Sequence, residues 1–241
     1  MTVLARFRAP IAAAAVLTVM LAVGACGSGD QVAGGSGATP TTSSTGALAG
    51  KRITPPINAS DFTFVDYSTS EAGTPFPLRA APGTLLFTYF GYLSCPDICP
   101  TTMSDMSSAV KRLAPEDRAK VEAAFVTIDP ERDTGPKVAG FVDHFFPDGG
   151  AHALVAGEDS TLWSATSRIG VDYKVDDHQP GDTSYGVAHT GYQYLIDDQG
   201  KVVWVWPYGT SSKDLAATLT ALLHGDVAVE GTTSTTKSAI R

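Results

Sequence analysis

Apolar and polar positions change period several times along the chain, and each change marks an element. Residues 62–65 alternate with period two, which predicts a short half-buried strand. Residues 84–90, TLLFTYF, are almost continuously apolar and predict a strand covered on both faces. The period then lengthens, with Met103, Met106, Val110 and Leu113 on one stripe, predicting a helix over 101–113. A second buried strand follows over 123–128, and then a helix over 136–146 with Val138, Phe141, Val142 and Phe145 turned inward. Residues 153–156 read as a short strand, and Ser160 as the N-cap of a helix through Ile169. Residues 192–196 and 202–206 flank Asp197-Asp198-Gln199-Gly200, a hairpin signal. Ser211 or Ser212 caps a last helix through Leu223.

Strand–helix–strand–helix followed by a hairpin and a helix is an α/β order with a central mixed sheet and flanking helices. A βαβ unit joined to a ββα unit is the order of a thioredoxin-like fold. The stretch GYLSCPDICP, residues 91–100, falls where the first buried strand meets its helix. That junction lies at the carboxyl edge of the sheet, where ligands collect in α/β folds.

The two ends of the 241-residue chain have a different texture. Arg6 and Arg8 precede a 13-residue apolar stretch, 11–23, which is short of the roughly 20 residues of a spanning helix but suits an export signal. Val23-Gly24-Ala25-Cys26 resembles a bacterial lipobox, so residues 1–25 are expected to be a lipoprotein signal peptide and Cys26 the lipid anchor. An ordinary cleavage site with an incidental cysteine is the alternative. The anchor would hold the protein on the extracytoplasmic face of the cell membrane. Residues 26–51, rich in Gly, Ser, Thr and Ala, predict a flexible tether, 52–224 the folded domain, and 225–241 a disordered tail. Loss of the signal removes two positive charges and no negative ones, moving the net charge from −8 to −10. Such a chain has no basic footprint for nucleic acid.

Of three cysteines, lipidation would use Cys26, leaving Cys95 and Cys99 in an oxidising compartment. On one helical turn their Cβ atoms would lie about 5–6 Å apart. A helix N-terminus would lower their thiol pKa. The spacing leaves open a disulfide, a redox couple or a metal site. Two sulfur donors favour a soft ion, above all Cu(I), whereas structural zinc wants four ligands. Among the histidines, His144 and His152 suit packing or surface roles, His178 lies in a polar loop and His224 at a helix end. His189 opens the strand HTGYQYLID, from which a side chain reaches the sheet edge, although taken alone it fits a structural role better.

Three blocks, GYLSCPDICPTTM, VTIDPERDT and VAHTGYQYLIDDQGKV, together resemble the SCO/SenC family of copper proteins over most of residues 60–223. The resemblance implies a thioredoxin-like fold with an inserted hairpin and one copper ion held by Cys95, Cys99 and His189. It implies a metallochaperone, not an enzyme in the usual sense, serving the dinuclear copper site of cytochrome c oxidase. Its partners would be the oxidase copper-site subunit and a protein that keeps the thiols reduced. Ala188 stands where the family commonly has an acid, which predicts a less firmly oriented imidazole.

Asp129 follows a buried strand and is a candidate outer partner of the metal site, with a turn cap as the plainer role. Arg132 and Asp133 read as a surface ion pair, and Met103 and Met106 as core. Trp204, Trp206 and Tyr208 read as packing residues near the hairpin. The competing function is a thiol–disulfide oxidoreductase acting on extracytoplasmic protein cysteines, with Cys95 and Cys99 as its redox-active catalytic pair and His189 dispensable. An inert disulfide is a third reading, but so short a loop stabilises little.

Overall fold

The computed structural model describes residues 47–226, so the signal segment, Cys26, most of the tether and residues 227–241 lie outside the described residues. In chain order the elements are β1 (Lys51–Asn58), β2 (Thr63–Asp66), β3 (Thr74–Pro77), β4 (Leu85–Gly91), α1 (Ile98–Arg112) and α2 (Pro115–Arg118). Next come β5 (Val121–Thr127), α3 (Gly135–Phe145), β6 (Ala151–Val155) and α4 (Asp159–Ile169). The chain continues with β7 (Tyr173–Val175), β8 (Val187–His189), β9 (Gln193–Ile196), β10 (Lys201–Trp206) and α5 (Ser212–His224).

Eight strands form one mixed sheet in the order β1-β10-β9-β4-β5-β6-β2-β3. The parallel strands β4, β5 and β6 are central, and antiparallel pairs flank them. Because side chains alternate across a strand, β4 and β5 each feed two cores. Phe87, Tyr89, Ala123 and Phe125 pack with α1, α3 and α5 on one face, alongside Met103, Met106, Val142 and Leu219. Leu86, Phe90, Ala124 and Val126 pack with α4 on the other, alongside Leu162, Ala165 and Ile169. Double coverage is why β4 reads as an apolar run instead of an alternation.

Several boundaries differ from expectation. The strands β1 and β3 carry two prolines each and sit at the sheet margins, where a missing N–H costs least. Prolines hide such strands from a pattern search. The tether, expected to run to residue 51, gives way sooner, since Leu48 and Ala49 pack on the core. The Ala49 carbonyl accepts hydrogen bonds from Trp204 Nε1 at 3.0 Å and Thr218 Oγ1 at 3.3 Å.

Helix α1 begins at Ile98, three residues before the expected start, with Pro100 in the first turn, where no intrahelical hydrogen bond is lost for want of its N–H. Ser160 is not the cap of α4. That helix opens after Glu158, and Ser160 sits inside its first turn, its hydroxyl donating to the Glu158 carboxylate at 3.3 Å. Ser211 does cap α5, its Oγ accepting from the Asp214 N–H at 3.2 Å.

Candidate metal centre

The strand β4 delivers the chain to the carboxyl edge of the sheet, where a tight turn brings the Cys95 N–H to the Tyr92 carbonyl at 3.3 Å. Cys95 lies in this turn, ahead of α1, and Cys99 is the second residue of the helix. The two are therefore not on one helical turn. What joins them is the free N–H of Cys99 in the first turn, which donates to the Cys95 sulfur at 3.4 Å. Both side chains are buried, Cys95 leaving 8% of its surface accessible and Cys99 none.

His189 arrives from a separate two-stranded sheet formed by β7 and β8, in which it pairs with Tyr173. Its Nε2 lies 3.5 Å from the Cys99 sulfur. Its Nδ1 lies 2.9 Å from the Thr190 carbonyl oxygen. A carbonyl only accepts, so Nδ1 carries the proton and the Nε2 lone pair faces the sulfurs. The orienting contact that an acid at position 188 was expected to supply is thus made by the backbone of Thr190, while Ala188 is exposed. Burial holds His189 below the ordinary histidine range against the Thr190 hydrogen bond, favouring the neutral ring. The rings of Tyr89 and Tyr92 meet it edge-on at 6.0 and 5.7 Å.

The three donor atoms of Cys95, Cys99 and His189 all lie within 4.8 Å of one another, the one such group of three among the described residues. Burial pushes the Cys99 thiol up to about 12, although the Tyr89 hydroxyl, 3.5 Å from its sulfur, opposes this. The lowering expected from the helix N-terminus is overridden there because Cys99 is wholly removed from water.

The SCO1/SenC family profile matches residues 52–224, which include both cysteines and His189. The chain belongs to the SCO1/SenC family. A SCO2-like protein of Rickettsia felis is 30% identical over 155 residues, 64% of this chain and 72% of that protein. The mitochondrial SCO2 protein of Saccharomyces cerevisiae is 28% identical over 152 residues, 61% of this chain and 45% of its own. Among solved structures, apo Sco1 from Thermus thermophilus superposes with a TM-score of 0.59 at 25% identity, covering 73% of this chain and 99% of that one. Bradyrhizobium japonicum ScoI with copper bound gives 0.55 at 26% identity, covering 71% and 98%. The expected thioredoxin-like SCO/SenC fold, with its mixed sheet and small hairpin, is the fold observed.

Other side chains of this SCO1/SenC domain fall away from the sulfurs. Asp129 is buried, yet it neither touches the cysteines nor caps a turn with its carboxylate. It pairs with Arg132 and accepts from the Tyr185 hydroxyl at 2.7 Å. Arg132 and Asp133 are not a surface pair, because Asp133 points inward and is 1% exposed. Its carboxylate accepts from the Leu93 N–H at 2.9 Å and the Thr127 hydroxyl at 2.7 Å, fixing the loop that leads to Cys95.

His152 pairs with Asp66 at 2.7 Å, His178 with Glu131 at 2.8 Å and His224 with Asp117 at 3.0 Å, while His144 is exposed. Met103 and Met106 are core residues, as are Trp204 and Trp206; Tyr208 is exposed beside Gly191.

Asp133→Ala is expected to strand the half-buried Leu93 N–H and the buried Thr127 hydroxyl, costing about 1–3 kcal/mol per group left unsatisfied and buried. Thermal unfolding checks this, and an unchanged melting temperature would refute the anchoring role.

Proposed function

We propose that the domain carries one copper ion on Cys95 Sγ, Cys99 Sγ and His189 Nε2 and passes it, by ligand exchange, to the dinuclear copper site of cytochrome c oxidase. The observation that carries this reading is the convergence of two sulfurs and one neutral imidazole nitrogen within 4.8 Å. No fourth His, Cys or carboxylate joins that group among the described residues. Two soft thiolates with one imidazole suit Cu(I) and fall short of the four-ligand set of structural zinc. Bradyrhizobium japonicum ScoI, a structural neighbour, was solved with copper bound, which supports the same cargo here. The oxidase assignment rests on kinship, since a further structural relative, BsSco, is described as one of the Sco family of cytochrome c oxidase assembly proteins. Anchorage through Cys26 at the outer membrane face completes the proposal, and a structural relative from Bacillus anthracis is described as a SCO1/SenC family lipoprotein.

The burial of Cys99 suits a carrier. Burial raises its thiol to about 12, so in the neutral range the empty site keeps the proton and copper binding displaces it. Cys95, the more accessible sulfur, is the natural point of entry for an incoming partner thiolate.

A second reading is favoured by the adjacency of two free thiols. Cys95 and Cys99 would then reduce the target's cysteines, two electrons leaving the pair as their disulfide forms and the target disulfide opens to two thiols. Cells carrying Cys95→Ser, assayed for oxidase activity with and without added copper, separate the two. Rescue by copper is the expected result for delivery, while failure of rescue assigns the thiol-reducing role.

A further inference from the structure

The cysteines and the histidine of this site come from parts of the fold that share no backbone hydrogen-bond ladder. Cys95 and Cys99 follow β4 of the main sheet, whereas His189 ends the β7–β8 hairpin, which pairs only with itself. The base of the hairpin is held by the chain arriving from α4 and leaving into β9. Its far end, residues 176–186, needs some other restraint if the imidazole is to keep its aim.

Resting on the copper-site reading above, we infer that Asp129, Arg132 and Tyr185 form a latch that positions His189 against the two sulfurs. Tyr185, near the return of the hairpin, is clamped in four ways. Its hydroxyl donates to Asp129 at 2.7 Å. Its carbonyl accepts from Arg132 Nη1 at 2.9 Å. The guanidinium carbon of Arg132 lies 3.6 Å from the centre of its ring. The His178 ring stacks on it at 3.7 Å and 14°. Two groups so near one ring centre lie on opposite faces, so Tyr185 is the middle layer of a sandwich.

Asp129 locks the arrangement by pairing with Arg132 while also receiving the tyrosine hydroxyl. Arg132 Nη1 also reaches the Thr183 carbonyl at 3.2 Å, so one planar side chain grips the hairpin at two carbonyls. Glu131 adds a parallel tie, holding His178 at 2.8 Å and the Gly181 N–H at 3.3 Å.

All these ties land on the turn after β5, which also holds the cysteine loop. Asp133 binds the Leu93 N–H. Arg132 lies 6.0 Å from the Tyr92 ring, which in turn meets His189 edge-on at 5.7 Å. A single turn therefore registers the histidine hairpin to the cysteine loop. Asp129, Arg132 and Tyr185 touch none of the donor atoms, so they are positioning residues.

The test measures Cu(I) affinity by chelator competition in the full protein carrying Tyr185→Ala or Arg132→Ala, each alone and combined with His189→Ala. Deuterium exchange of the copper-free proteins is read alongside. A loss of about 10- to 100-fold is expected for each latch variant, the usual cost of removing a group that orients a metal ligand. The loss should vanish when His189 is already alanine, and exchange should rise across 173–189 while the 95–99 segment keeps its protection.

Affinity unchanged in the latch variants overturns the latch, as does a loss of equal size in the His189→Ala background or unchanged exchange over 173–189. Should the alanine variants fail to fold, Tyr185→Phe and Arg132→Lys carry the same test, since each removes specific hydrogen bonds with little loss of volume. Absence of Cu(I) binding by the unmodified protein would instead overturn the copper reading beneath it.

Discussion

Replacing Cys99 with serine is expected to weaken Cu(I) binding by more than about 100-fold, beyond the cost of losing an orienting partner. The hydroxyl is a hard donor that keeps its proton at neutral pH, so the ion would be left with one sulfur and one nitrogen. Because position 99 is fully buried, little room exists for water to take the vacated place. Serine is close in size to cysteine and still accepts a hydrogen bond from Tyr89, so the fold should survive and the loss be confined to the metal.

The pH dependence gives an independent check. With the Cys99 thiol raised to about 12, its proton is displaced by copper throughout the neutral range. Apparent affinity should rise about tenfold per pH unit from this residue alone, and Cys99→Ser should lower the slope by one proton. In the copper-free protein the raised thiol favours the folded state below the ordinary value of 9.0, and this contribution is lost as pH climbs towards about 12. Chelator competition between pH 6 and 8 (roughly the range in which Cu(I) probes are usable) measures the first effect, and thermal melts of the copper-free protein as pH rises from 9.0 towards about 12 measure the second. An unaltered slope in the variant would remove Cys99 from the binding site.

Gly91→Ala is expected to damage the fold and the site together. A methyl group there would lie 2.9 Å from the Tyr89 ring, 3.0 Å from the Cys99 sulfur and 3.0 Å from the Phe125 ring. None of these is a free end, because both rings lie in the core and the sulfur is held between Tyr89 and His189. Overpacking of this kind costs about 1–3 kcal/mol, which lowers the melting temperature of a domain this size by roughly 2–12 °C. Relief by moving the sulfur would also lengthen its 3.5 Å approach to His189 and weaken Cu(I) binding. Melting and copper affinity both at the unmodified level would show that the strand end tolerates a side chain.

The central elements were legible because the signals were strong and local. β4 and β5, covered on both faces, read as apolar runs, α1 and α3 as stripes at helical period, and α5 from its serine cap. The elements that escaped notice were the ones whose pattern is weak. β1 and β3 are marginal and proline-bearing, and β7 and β8 span three residues each. For the short pair, the ladder between Tyr173–Val175 and Val187–His189 depends on the latch and the core beneath, which no local period records.

The site divides in the same way. Cys95 and Cys99 were conspicuous because the pair stands at a strand–helix junction, and the family blocks pointed to His189. Spacing nevertheless suggested a shared helical turn and thiols activated by the helix. Cys95 instead precedes the helix, and the thiol of Cys99 is raised by burial. Asp133 looked like half of a surface pair because charged neighbours usually are solvated, whereas the turn after β5 points it inward to Leu93 and Thr127.

The sequence by itself determined the order of the central strands and main helices, the place of the cysteine pair and the kinship, since these depend on local period and on short blocks of residues. Only the tertiary structure decided that His189 Nε2 faces the sulfurs, that Thr190 orients the ring in place of an acid, and that Arg132 and Tyr185 tie the hairpin down. The first and last of these depend on contacts between segments some 50 to 90 positions apart, from Cys99 to His189 and from Arg132 to Tyr185, and the Thr190 contact, though local, depends on the ring orientation the fold selects. Chain folding closes such distances through burial and pairing, and a one-dimensional pattern carries no measure of them.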